Sequence, residues 1–432
     1  MSESTKKWLQ KGLLLVLLVL ACSVVPSGEA QAAKRGWVRS GNTYYYYLRN
    51  GKKAKNRWVG DYYVTKTGAR AINQWITSKG KRWFVGEDGK YIPDFRGGWV
   101  KIGKNWYYYT KSGKKKTSTW ITWKGQRYYV NEKGIRAVHW QKIQKKQYYF
   151  DKSGNLKTSS WLKKGSWYYY VNSKGRLSTK ERMNTNSLAT ATKIRYETST
   201  LQVNLEQSEK YGTVYWTAHV KIKDPSQIKT PLSYGTYGGA RELTSHAVSR
   251  IGAIVGINGS AFSYSSGMPG FDAVMIKDGR IYNKALGTSY SLLAIKRDGT
   301  LYNPLQGLTA SALVKQGVTA TFNFGPVLIK NGKAMPVDYE NFSLTAYKDP
   351  RTAVGMVKKG EYVLLVADGR GSGGSRGLNQ REMNAIFKSF GCRFAYNLDG
   401  GGSSVLVYRG RVLNHPSDGH ERACGDFLCF TE

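Results

Sequence analysis

The chain has 432 residues, 67 Lys and Arg against 28 Asp and Glu, a formal charge of +39, five His and four Cys. That length exceeds one ordinary domain, so two folded units with extensions are expected. Five scattered histidines and the lack of any Cys-x-x-Cys pair argue against a metal site, and no cofactor motif is present.

At the N-terminus Lys6, Lys7 and Lys11 precede an apolar run over 13–20, and Ala30-Gln31-Ala32 follows. A charged head, a short apolar core and an A-x-A site read as a secretory signal peptide over 1–33. The apolar core is too short for a permanent anchor. A secreted protein is therefore expected, touching membrane only through the transient signal peptide and losing Cys22 with it. Export permits disulfides among Cys392, Cys424 and Cys429. Pairing of Cys424 with Cys429, pairing of Cys392 with either, and three buried thiols all stay open.

Residues 34–180 hold 35 Lys and Arg against six Asp and Glu, which is most of the imbalance. Such a field draws polyanions. Basic residues interleaved with aromatics would also suit nucleic acid, but an exported polycation points to an anionic cell-wall polymer such as teichoic acid and to no nucleic acid. Tryptophans recur about every 20 residues at Trp37, Trp58, Trp75, Trp99, Trp120, Trp140 and Trp161, each followed by an aromatic cluster and then a turn glycine. Asn50-Gly51 and Asp88-Gly89 are hairpin-turn signals, predicted to place both residues at positive φ. A lone hairpin is marginal in water, whereas stacked hairpins share aromatic faces as a solenoid.

At 98–113 the run G-W-V-K-I-G-K-N-W-Y-Y-Y-x-x-x-G resembles the cell-wall-binding (choline-binding) repeat family. The resemblance implies aromatic cages that hold choline by cation–π attraction. It makes Trp99, Trp106, Tyr107, Trp120, Trp140, Trp161 and Trp167 the candidate wall-binding aromatics. Lys and Arg around them would repel a quaternary ammonium and attract its neighbouring phosphate, so choline cages and structural aromatics under a phosphate-attracting surface both stand. The repeats are expected over 34–180. A Ser/Thr/Asn/Lys stretch at 181–192 reads as a linker.

Residues 193–432 have globular composition, enough for a sizeable core. Apolar runs at 201–203, 214–222, 253–257, 273–276, 292–296, 353–357 and 362–366 predict strands, and 239–251 and 379–390 predict helices. The fold class expected is multidomain, an all-β hairpin-repeat solenoid followed by an α+β catalytic domain. Polar and glycine residues gather at strand ends: Asn258-Gly259, Asn323, Arg351, Asp368 with Arg370, and Asn397 to Ser404. Glycine chains beside Asn, Asp and Ser let backbone amides approach an anion, and arginines add bidentate phosphate contacts.

In order, N-G-S-A-F, N-F-G-P-V-L-I-K-N-G, D-P-R-T-A-V-G, A-D-G-R, G-L-N-Q-R-E-M, N-L-D-G-G-G-S-S and the closing H-P-S-D and E-R-A-C resemble the phosphodiester glycosidase family. Ser260-Ala261 departs from its usual loop. The resemblance implies cleavage of a sugar 1-phosphodiester, N-acetylglucosamine-like, on the sugar side, in a glycan or exopolysaccharide phosphodiester. A phosphomonoester leaves readily, so a phosphate clamp and a carboxylate are the main requirements. Asp368, Asp399 and Glu382 are the carboxylate candidates, and the residues do not order their roles. Asn258, Gly259, Asn323, Arg351, Arg370, Gly400, Gly401, Gly402, Ser403 and Arg422 are the substrate and phosphate candidates. His415 reads as a surface residue. A catalytically silent phosphoglycan-binding protein is the alternative.

Overall fold

The computed structural model describes residues 35–270, 273–284 and 291–432. The signal-peptide expectation and Cys22 lie outside the described residues. The chain divides into two compact units between Ala137 and Val138. The described residues are mostly β, with three short α-helices, α1 (Thr244–Arg250), α2 (Ala310–Lys315) and α3 (Gln380–Ser389). No described helix is long and apolar enough to cross a membrane.

The first unit is a succession of antiparallel hairpins. Gly36–Ser40 pairs Thr43–Tyr47, Arg57–Val59 pairs Tyr62–Val64, Gln74–Ser78 pairs Lys81–Val85, Gly98–Ile102 pairs Asn105–Tyr109 and Thr119–Trp123 pairs Gln126–Val130. The register places each repeating Trp directly across from a Tyr or Phe: Trp37 on Tyr46, Trp58 on Tyr63, Trp75 on Phe84, Trp99 on Tyr108 and Trp120 on Tyr129. Their ring centroids lie 5.2–5.5 Å apart. Such cross-strand aromatic pairs are the stabilising unit of an antiparallel sheet.

The tight two-residue turns fall between the paired strands, as at Lys79-Gly80 and Lys124-Gly125, where both φ are positive. At Asn50-Gly51 and Asp88-Gly89 only the glycine takes positive φ. There Gly51 N donates to Leu48 O and Gly89 N to Gly86 O, closing a wider turn that carries the chain to the next hairpin. The positive-φ pair expected at these sites is thus corrected.

In the second unit two more hairpins, His139–Ile143 with Lys146–Phe150 and Ser160–Lys164 with Trp167–Val171, keep the same register, Trp140 on Tyr149 and Trp161 on Tyr170. The latter hairpin opens an eleven-stranded sheet that continues through Leu177–Met183, Lys193–Glu197, Leu201–Lys210, Thr213–Ile222, Glu361–Ala367, Arg351–Lys358, Phe394–Asn397 and Val327–Lys330. The stretch 181–192, expected as a linker, is part of this fold. Glu181 to Met183 end a paired strand, and Met183 and Ala191 are buried in the main core. Backbone pairing and two apolar anchors override its polar composition.

Strand Glu361–Ala367 is buried along its whole length. Leu364 and Val366 face one core with Trp216, Val354 and Tyr396, while Val363 and Leu365 face a second with Met383, Ile386 and Phe387 of α3. Alternation to two covered faces explains a strand apolar at every position after Glu361. A five-stranded sheet contains Phe427–Phe430, Val255–Asn258 and Leu406–Tyr408, and a three-stranded sheet contains Ser291–Lys296 and Val318–Phe324. The helix expected over 239–251 is shorter, Thr244–Arg250, because Gly239 takes positive φ and Glu242 exchanges backbone bonds with Cys424, which holds the preceding residues extended. Cys392, Cys424 and Cys429 are buried free thiols.

Candidate functional site

The polar loops at strand ends meet through backbone bonds. Asp399 N donates to Gly259 O at 3.0 Å, Leu398 N to Thr352 O at 2.8 Å and Gly401 N to Pro350 O at 3.0 Å. Three loops far apart in sequence, following Asn258, preceding Arg351 and following Asn397, are thereby fixed to one another. Asn258 is fully buried and makes the junction. Its Nδ2 donates to Asp399 O at 2.7 Å, and its Oδ1 accepts from Thr352 Oγ1 at 2.8 Å and Val405 N at 3.2 Å. It positions Asp399, and its amide is engaged by protein rather than left for a phosphate.

Asp399 heads the turn Gly401–Ser403. Burial pushes its carboxyl up to about 7, against the Ser403 hydroxyl and the Arg422 charge, which favour the ionised form. The Gly400 amide also bonds this carboxylate, and the Gly401 amide is taken by Pro350. The three-amide anion nest expected over 400–402 therefore has two donors committed. The glycines are required for another reason, the close approach of two arginines. A Cβ on Gly401 would lie 3.0 Å from Arg370 Nη2, and one on Gly402 would collide with Arg422 and Asp418.

Arg370 holds Asp349 bidentately, 2.8 and 3.0 Å, and its side chain is half exposed. Arg422 donates to Asp418 Oδ2 from Nε at 3.0 Å and Nη2 at 2.6 Å, and reaches Ser403 Oγ from Nη1 at 3.5 Å. Burial works against its charge, but the Asp418 bond holds the guanidinium above its ordinary value. Asp368 is buried at the end of strand Glu361–Ala367. Its Oδ1 accepts from His415 N at 2.8 Å, and its Oδ2 lies 2.9 Å from His415 Nδ1. Burial raises the Asp368 carboxyl, opposed by His415. The His415 ring is more than half exposed, so it is a surface residue with a buried carboxylate behind it. It also lines a cavity of about 130 Å³ with Trp216, Gln207 and Arg411.

Two candidates have structural partners instead. Arg351 is 2% exposed, and its guanidinium donates to Leu378 O, Leu344 O and Tyr347 O at 3.0, 2.7 and 2.8 Å. Burial pulls it down to about 10. It ties three carbonyls together and is corrected from a phosphate clamp to a positioning residue. Glu382 closes the capping box of α3, accepting from Asn379 N at 3.0 Å, and pairs Lys348 at 2.9 Å. A helix-capping carboxylate in an ion pair is not a free base. Asn323 donates its backbone N–H to Ser260 Oγ at 3.2 Å and accepts from Ala261 N, fixing the 259–261 loop.

Beneath that loop lies a pair the sequence reading missed. Asp426 accepts from Ser260 N at 2.7 Å and Ser260 Oγ at 2.9 Å, and pairs Lys277 at 2.7 Å, both ions buried. Lys277 also lies 3.4 Å from the Phe322 ring centroid. Burial lowers the Lys277 amine, opposed by Asp426. A Cβ on Gly259 would meet Asp426 Oδ1 at 2.5 Å. The available signal was a single charge at the end of each of two apolar runs, Lys277 and Asp426.

Residues 251–431 match the phosphodiester glycosidase family model. The phosphodiester glycosidase match covers every catalytic and phosphate candidate above. Choline-binding repeat models match 52–91, and cell wall binding repeat models match 97–115 and 140–156, so repeats precede the glycosidase-family region. The SPbeta prophage-derived protein YomE of Bacillus subtilis (strain 168) is 33% identical over 249 residues, 53% of this chain and 38% of its own. The N-acetylglucosamine-1-phosphodiester alpha-N-acetylglucosaminidase of Mus musculus is 28% identical over 214 residues, 46% of this chain and 41% of its own. The chain thus spans about two fifths of the length of these curated relatives. The zebrafish enzyme's catalytic domain, auto-inhibited by its pro-peptide, aligns at TM-score 0.44 and 23% identity over 55% of this chain and 85% of its own.

In the repeats, Trp99 packs on Tyr108 and Tyr128, Trp120 lies under Arg127 and Tyr107 is buried near Lys115. Trp106 faces Arg136, and Trp140 donates Nε1–H to Lys163 O at 2.9 Å. Trp161 packs on the main core, and Trp167 lies beside Arg182 and Arg195.

Proposed function

We propose that the chain is a secreted hydrolase held at the cell wall by its repeats, which cleaves the glycosidic bond of a sugar 1-phosphodiester to free sugar and phosphomonoester. The supporting observation is Asp399, a carboxyl raised to about 7 at the head of a glycine turn flanked by Arg370 and Arg422. A base poised near neutrality has both the ionised form and the proton affinity that water activation needs. Asp399 takes a proton from water as the water oxygen bonds to the anomeric carbon. The anomeric C–O bond breaks, and its electron pair stays on the phosphate oxygen. Arg370, Arg422 and His415, oriented by Asp368, stabilise the charge gathering on that phosphate.

Full-length protein is incubated with an N-acetylglucosamine 1-phosphodiester in 18O-labelled water. The expected result is free sugar carrying the label and an unlabelled phosphomonoester, with Asp399→Asn slower by about 100-fold or more. Label in the phosphate would assign the cleavage to the other bond. Binding without sugar release, across several sugars, would leave a phosphoglycan-binding protein.

A further inference from the structure

The spaces between successive hairpins of the first unit hold side chains of the chain itself. Arg70 and Arg136 each stand two residues after a turn glycine, and each is carried back onto the preceding hairpin. Arg70 N donates to Tyr44 O at 2.8 Å and Arg136 N to Trp106 O at 2.8 Å. The Arg70 guanidinium then lies 4.3, 5.4 and 6.0 Å from the Tyr44, Tyr62 and Trp37 ring centroids. Arg136 lies 5.0 Å from Trp106 and 5.5 Å from Trp99. At the equivalent position after Gly89, Tyr91 sets its ring 5.0 Å from Trp83 and 6.2 Å from Trp58. Phe95 stacks on Phe84 at 4.1 Å and closes on Trp75 at 5.8 Å.

We infer that these aromatic spaces are closed to an external quaternary ammonium, and that the array holds its wall ligand through the phosphates of a polyol-phosphate polymer. An aromatic face attracts one cation through its quadrupole, and a resident guanidinium satisfies that face while repelling a second cation. Lys53, Arg82 and Arg127 likewise lie over Tyr45, Trp75 and Trp120, at 3.9, 4.8 and 4.5 Å from the ring centroids, while staying exposed. Every Lys and Arg between Arg35 and Arg136 is exposed except Arg70, Lys115 and Arg136, and Lys115 pairs Glu87 at 2.5 Å. Only five Asp and Glu share residues 35–137 with them. Long, exposed cations with few carboxylates among them, spread along a row of hairpins, match a linear polyanion bound by counterion release.

A single-stranded nucleic acid would also need aromatic stacking platforms. Among the described residues the well-exposed aromatics, Tyr234, Tyr264, Tyr339 and Tyr347, all lie beyond the first unit. The inference deepens the tethering half of the proposed function. Its test reads retention, not hydrolysis, so the two can fail separately.

Full-length protein is loaded on immobilised poly(glycerol phosphate) and eluted with sodium chloride or with choline chloride at matched ionic strength. Retention is expected to fall by roughly tenfold or more between about 50 and 200 mM salt, choline acting no better than sodium. Choline chloride is also titrated into wild-type protein and into Arg70→Ala/Arg136→Ala while tryptophan fluorescence is followed. Wild type is expected to show no saturable change, and the emptied variant is expected to gain one. Saturable choline binding by wild type, elution specific to choline, or retention indifferent to salt would each overturn the proposal. Retention on single-stranded DNA equal to that on the polymer would overturn the choice of ligand.

Discussion

At the scale of single residues, the same residue type serves opposite ends depending on what surrounds it. Arg370 and Arg422 each hold a partly exposed aspartate beside the Gly401–Ser403 turn and keep solvent-facing donors. Arg351, one loop away, is buried against three carbonyls. Removing it strands those acceptors without water, and each unsatisfied buried polar group costs about 1–3 kcal/mol. Arg351→Met is therefore expected to destabilise the second unit by about 3 kcal/mol. Urea unfolding at unchanged m-value checks this, and a change under about 0.5 kcal/mol would return Arg351 to the list of phosphate ligands. Nothing in the one-dimensional pattern D-P-R-T-A distinguishes a clamp from a brace, because the deciding carbonyls belong to residues 344, 347 and 378.

At the scale of elements, α3 was legible almost to its ends. Met383, Ile386 and Phe387 recur at helical spacing and face one core, and Gly391 follows the last turn. The cap was legible in the letters yet read for another purpose. Asn379 and Glu382, three apart, satisfy one another's backbone donors, which gives Glu382 a local role that competes with catalysis. Asn379→Ala is expected to cost about 1 kcal/mol. Glu382→Gln is expected to keep phosphodiester cleavage within about threefold of wild type, since a glutamine can still fill the N3 place of a capping box. A loss of about 100-fold in Glu382→Gln would restore it as a catalytic carboxylate. The array hairpins were legible for the same reason as the helix. Their Trp-to-Tyr pairing is a local register, whereas the choice of turn depended on which residues the next hairpin required to bend.

At the scale of the whole molecule, the candidate site carries a stability cost of its own. Asp399 titrates near 3.8 when unfolded and about 7 when folded, so the folded state binds the extra proton more tightly. That contribution is complete below about pH 4 and is lost as pH rises through about 7. Its upper bound is about 4 kcal/mol, reduced because Asp399 as a residue is only partly buried. Asp368 shifts in the same direction. Thermal stability is thus expected to decline between about pH 5 and pH 7, and Asp399→Asn to flatten that decline and exceed wild type at about pH 8 while losing activity. A variant with the wild-type pH slope would place the raised carboxyl elsewhere. By itself the sequence determined the order of the chain: hairpins with aromatic faces, most of the charge excess on them, and strand-end motifs matched by a glycosidase family. Those are properties of neighbours a few residues apart, where periodicity and turn chemistry act. Only the tertiary structure decided which polar residues are donors to a substrate and which brace a loop. It joined 181–183 to a sheet, set Asp426 under Gly259 and filled the aromatic spaces with Arg70 and Arg136. Each of those outcomes depends on burial and on partners more than 10 residues away in the chain, which no local pattern encodes.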